Sequence, residues 1–158
     1  MSDDSDDRRR PSVNLFNETD KLVSAAMWGP VGTEALLAQV YPPSTSLFFS
    51  DFNVHKARLE ALAFAKTLNK FGCRTFFVRD EVAENIKPVK MSADELISKL
   101  VKRATHCPKI QACIEGLIRE DIDRYGEKKA IALNYLLTLR PTLPLGNLTY
   151  ARDQMNVI

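Results

Sequence analysis

NVHKARLEALAFAKTLNKFGCRTFFV, residues 53 to 78, is the stretch whose reading decides the fold. Val54, Ala57, Ala61, Phe64, Ala65, Leu68 and Phe71 recur at three- and four-residue steps, while Lys56, Arg58, Glu60, Lys66, Asn69 and Lys70 fall between them. That spacing predicts a helix from Asn53 to Phe71 with one core face and one water face. Asn53 can cap its start, and Gly72 offers the left-handed conformation that ends helices cheaply. Arg74 to Val78 is rich in β-formers, so helix, glycine and strand follow one another as in an α/β unit that packs a helix on a sheet.

Upstream, Asp3, Asp4, Asp6 and Asp7 precede Arg8, Arg9, Arg10 and Pro11. Residues 1–14 hold too little apolar surface to offset their ordering entropy and are expected to be a disordered tail. Asn17 followed by Asp20 reads as the start of a short helix running to about Met27 and stopping at Trp28-Gly29-Pro30. Ala35 to Tyr41 is a brief apolar run closed by Pro42-Pro43, and its length and flanks favour a buried strand. Leu47-Phe48-Phe49 approaches the core again, and Ser50-Asp51-Phe52 places a carboxylate just ahead of the Asn53 helix, where the helix dipole favours it.

From Pro88 onward the pattern is helical only. Ser92-Ala93-Asp94-Glu95 has the form of a capping box leading into Leu96, Ile97, Leu100 and Val101. A second helix is expected from about Lys109 to Tyr125, carried by Ile110, Cys113, Ile114, Leu117, Ile118 and Ile122. A third runs from about Glu127 to Leu139, after which Pro141 and Pro144 return the chain to an extended form.

Composition sets the outer bounds. With 158 residues, 45% hydrophobic and 27% charged, the chain suits one globular domain of about 100 to 200 residues. The net charge of +2 leaves no strong field to argue for nucleic acid or a membrane surface, which points to a small molecule or a protein as partner. Cys73, Cys107 and Cys113 are too few and too irregular for a disulfide framework, so a reducing, cytoplasmic location is the default. No apolar run reaches the roughly 18 residues that would span a bilayer, and the acidic start has the wrong charge for a signal peptide.

Few residues carry chemistry. His55 and His106 are the only histidines, and each lacks a second ligand at helical or hairpin spacing, so no metal and no cofactor is expected. His106 beside Cys107 suggests an activated thiolate, but neighbours at a helix start do not face each other, and a structural cysteine is the better reading. Phosphate-binding glycine loops and the nucleophile elbow of serine hydrolases do not occur. Asn147 to Asp153 stands apart, since Arg152 and Asp153 lie where a strand should enter the core and must be paired there to be tolerated. A salt-bridged strand entry and a ligand grip both satisfy that need.

Asn147-Leu148-Thr149-Tyr150-Ala151-Arg152-Asp153 resembles the N-L-x-F-x-R-D signature of the arginine deiminase and amidinotransferase family, the guanidino-group-modifying enzymes also called penteins. Leu47 to Phe52, followed by the amphipathic helix and Gly72 to Val78, is similar to the first blade of that family, and the stretch from about Pro88 to Leu139 to its helical insertion. The resemblance covers roughly residues 33 to 158. It implies an α/β fold, the first part of a five-bladed β/α propeller with an inserted helical bundle: a first blade at 15–87, the insertion at 88–142, and the start of the next blade at 143–158.

The resemblance further implies that a guanidinium substrate is gripped by carboxylates and attacked by a cysteine thiolate, with a histidine moving protons. On this sequence Asp153 takes the place of the carboxylate that grips the guanidinium, the catalytic assignment, and Asn147 that of the residue contacting the amino-acid end of arginine. Tyr150 stands where the family has a stacking phenylalanine, and Arg152 matches the orienting arginine of the motif. The histidine, second acidic pair and late cysteine have no counterparts among these residues. The expectation is therefore the N-terminal portion of an arginine deiminase-like hydrolase, inactive alone. An amidinotransferase portion, or a non-catalytic interaction protein covering its strand edges by self-association as a homo-oligomer, are the alternatives.

Overall fold

The computed structural model describes residues 22–42 and 53–141. Strand β1 (Ser24–Met27) leads through a buried turn into helix α1 (Thr33–Ala38). Helix α2 (Val54–Lys70) precedes strand β2 (Arg74–Phe77), which passes directly into helix α3 (Val78–Asn85). Helices α4 (Ala93–Arg103), α5 (Pro108–Tyr125) and α6 (Glu127–Asn134) complete the order, and α6 widens into a π-helical turn at Tyr135–Leu139.

β1 and β2 pair in parallel, with Ser24 beside Arg74 and Met27 beside Phe77. A parallel pair needs a long connection, and α2 lies within it. α2 begins where the sequence places it: the Asn53 side chain accepts from the Lys56 N–H at 2.9 Å, and Gly72 ends the helix at φ 79°. The fold is thus mostly helical around a small parallel sheet.

Several expectations are corrected. Ser24–Met27, expected at the end of a helix, is a strand, because pairing with β2 overrides a weak local helix preference. The run from Ala35, expected as a strand, lies in α1 and the turns after it; apolar runs this short do not distinguish the two states. Val78 opens α3, with Asp80 and Glu81 in its first turn where the helix dipole favours acids. On α2, Arg58 lies buried although the helical period puts it on the water face, whereas Phe64 and Phe71, expected in the core, are 56% and 80% exposed.

The helices beyond Pro88 fall close to their expected bounds. Ser92 Oγ accepts from the Glu95 N–H at 3.1 Å, but the Glu95 carboxylate turns to Lys99 at 2.7 Å. Pro108 occupies the first turn of α5, where its missing N–H costs nothing. Gly126, at φ 80°, makes the corner between α5 and α6. One apolar cluster joins Trp28, Leu36, Leu37, Val54 and Ala83 to Leu96, Leu100, Ile114, Leu117, Ile118, Ile131, Leu133 and Leu137. The helices after Pro88 share their core with the β1–α3 segment.

Candidate functional site

The chemistry among the described residues is concentrated in a buried charge cluster beside that core. Arg79 projects from the first turn of α3, and its side chain has no solvent exposure. Asp121, equally enclosed on α5, meets it fork to fork: Nη1 donates to Oδ1 at 2.9 Å and Nη2 to Oδ2 at 2.6 Å. Glu34 of α1 lies on the other flank, its Oε2 accepting from Nη2 at 3.4 Å and its Oε1 3.3 Å from Nε.

Arg58 closes the ring from α2. Its Nη2 donates to Asp121 Oδ1 at 3.0 Å, its Nη1 to the Val31 carbonyl at 3.1 Å, and its Nε lies 3.2 Å from Glu120 Oε2. Two guanidinium groups thus balance Glu34 and Asp121, which is the condition under which buried charges are tolerated. Neutral donors fill remaining lone pairs. Asn134 Nδ2 donates to Asp121 Oδ2 at 2.9 Å, while Trp28 Nε1 and the Gly32 N–H donate to Glu34 Oε1 at 3.2 and 3.0 Å. The Thr33 hydroxyl donates to Asn134 Oδ1.

The electrostatic balance follows from this geometry. Burial alone would raise the Asp121 pKa, but the Arg79 hydrogen bonds and charge, helped by Arg58 and Asn134, hold it below the usual carboxylate range. Burial likewise opposes the Arg79 charge, and Glu34 with Asp121 more than reverses it. At the rim, Tyr125 donates to Asp80 Oδ1 at 2.7 Å, and Arg124 grips Asp80 at 3.0 and 2.6 Å. Burial, partly opposed by Arg79 and reinforced by Asp80, pushes the Tyr125 phenol up to about 12.

Chemically, this cluster is a guanidinium site already filled by the protein's own Arg79. Gly32 shows how tightly: a Cβ there would lie 2.9 Å from Arg79 Cζ. Its geometry anchors α1, α2, α3 and α5 to one another. A separate groove of about 420 Å³ opens between the first turns of α2 and α5, lined by Leu36, Val54, His55, Lys109, Ile110 and Cys113 among others.

The sequence-derived site residues Asn147, Tyr150, Arg152 and Asp153 lie outside the described residues, as do Asp51, the residue 1–14 tail and Leu47-Phe48-Phe49. His55 is partnered by Glu120 at 3.1 Å, and His106 is exposed in the turn between α4 and α5. Cys73 is buried, Cys107 and Cys113 are half-buried, and all three are free thiols. No group of three or more metal-ligating side chains occurs among the described residues, and none of their helices is long and apolar enough to cross a membrane.

Sequence reasoning did not single out Glu34, Arg79, Asp121 or Asn134. Asp121 carried a signal, since it falls in register with Ile114, Leu117 and Ile118 on the apolar stripe of α5, where a carboxylate requires a buried cation. No protein-family model, no curated protein and no solved structure matches this chain.

Proposed function

We propose that this chain forms the N-terminal part of a guanidino-group-modifying enzyme of the arginine deiminase type, one that hydrolyses arginine to citrulline and ammonia in the cytoplasm. The Asn147-Leu148-Thr149-Tyr150-Ala151-Arg152-Asp153 motif carries the reading. Support comes from its order in the chain, after a parallel β–α–β unit and a run of helices. In this reading the β1–α2–β2 unit belongs to the first blade of a propeller, and the Asp153 carboxylate pairs bidentately with the substrate guanidinium. Asn147 contacts the amino-acid end, Tyr150 stacks on the planar cation, and Arg152 orients the carboxylate. The nucleophilic cysteine and its histidine would come from further chain. An amidinotransferase would use the same grip and pass the amidino group to an amine.

The test is an assay on the product of the reading frame continued beyond Ile158. Arginine should yield citrulline, and Asp153→Ala should abolish nearly all of it. Full turnover in that variant removes Asp153 from the site, and a continuation lacking a late cysteine defeats the enzyme reading. One observation favours the second reading, a non-catalytic interaction protein: the parallel sheet is two-stranded among the described residues, and Phe76 on it is 37% exposed.

A further inference from the structure

The Arg79 guanidinium is met on two adjacent edges and over an aromatic ring. Asp121 takes the edge of Nη1 and Nη2, at 2.9 and 2.6 Å. Glu34 takes the edge of Nη2 and Nε, its Oε2 accepting from Nη2 at 3.4 Å and its Oε1 lying 3.3 Å from Nε. Arg79 Cζ lies over the Tyr125 ring, 5.7 Å from its centroid, within reach of cation–π attraction. A planar, trigonal cation answers all three groups together, whereas an ammonium has neither the fork nor the plane.

Other residues hold these groups in place. Trp28 Nε1 and the Gly32 N–H donate to Glu34, Asn134 Nδ2 and Arg58 Nη2 donate to Asp121, and the Tyr125 hydroxyl donates to Asp80. The cradle is thus organised by partners other than its occupant, which lowers the cost of filling it. Its charge demands an occupant as well. Without Arg79, Asp121 would still have Arg58, but among the described residues Glu34 would keep neutral donors only. A fully enclosed carboxylate in that state calls for a cation.

We propose that Glu34, Asp121 and Tyr125 form a guanidinium receptor, whose ligand in the native chain is Arg79 and which takes a free alkylguanidinium once that side chain is cut back. Arg79→Ala keeps Cβ and removes two methylenes with the guanidinium. Ethylguanidinium restores those atoms. The half-buried Tyr125 touches both the cradle and solvent, so a small ligand has one side chain to pass. This inference is independent of the reading of Asp153.

Thermal melting of the full-length Arg79→Ala chain in increasing ethylguanidinium tests it. The emission of Trp28, the single tryptophan and a direct partner of Glu34, reports the fold. The melting temperature should rise with ligand, as mass action requires of a molecule that binds the folded state, while the wild type, its cradle filled, should gain nothing. Ethylurea has the shape without the charge, and ethylammonium the charge without the fork; each should act at least about tenfold more weakly. If Arg79→Ala is unfolded by itself, ethylguanidinium should restore native emission. A folded variant that gains no stability overturns the proposal, as does an unfolded one that no concentration restores. An equal gain in the wild type, or from ethylurea or ethylammonium, overturns it too.

Discussion

Arg79 and Asp121 face each other through two parallel hydrogen bonds of 2.9 and 2.6 Å with neither side chain exposed to solvent. Such a pair contributes little net stability relative to a well-packed apolar pair, but breaking it leaves a charge with no water to turn to. Asp121→Asn keeps the shape of the side chain and removes the charge that Arg79 and Arg58 share. It should destabilise the fold by about 3–5 kcal/mol, read from chemical denaturation.

Acid should expose the same group. The folded pKa of Asp121 lies below its unfolded value of about 3.9. Its stabilisation is therefore complete above about pH 3.9 and is lost as pH falls through the lower folded value. Stability measured against pH should fall in that acid range for the wild type and flatten there in Asp121→Asn. An unchanged acid slope in the variant would show that other carboxylates dominate the transition.

Tyr125 behaves in the opposite sense. Its folded pKa is raised to about 12 from 10.0, so its stabilisation is present below pH 10.0 and disappears as pH rises through about 12. Phenolate absorbance should show a late step from Tyr125, and that step should vanish in Tyr125→Phe.

Glycine substitutions should separate close packing from open surface. Gly32→Ala presses a methyl group onto the enclosed Arg79 guanidinium and should cost about 1–3 kcal/mol, as overpacked cores do. Gly116 lies within α5, and a Cβ added there would meet nothing within 4 Å, so Gly116→Ala should stabilise by about 0.5–1 kcal/mol. Paired melting curves for the two variants check both signs.

The local rules placed α2 and the helices after Pro88, and missed α1 and α3. Asn53, Ser92 and Pro108 mark helix starts through the fate of a single backbone amide, a property legible from a few neighbouring residues. β1 was not legible in that way, because Ser24-Ala25-Ala26-Met27 becomes a strand only when Arg74 to Phe77, far along the chain, lies beside it. Arg58 followed the helical period onto the polar side and yet is buried, since Asp121 and the Val31 carbonyl receive its guanidinium. A period reports which residues share a face; it does not report what that face meets. The charge cluster was half legible: Asp121 interrupts an apolar stripe, but its partners stand 42 and 63 residues away.

That spread bears on how the chain could be divided. Removing the helices that follow Pro88 would take Asp121 and Asn134 away and leave Arg58 and Arg79 without their shared carboxylate. The helical segment and the strand-bearing segment therefore depend on each other for the pairing of these buried charges. A shortened relative lacking these helices would have to replace both arginines at the same time.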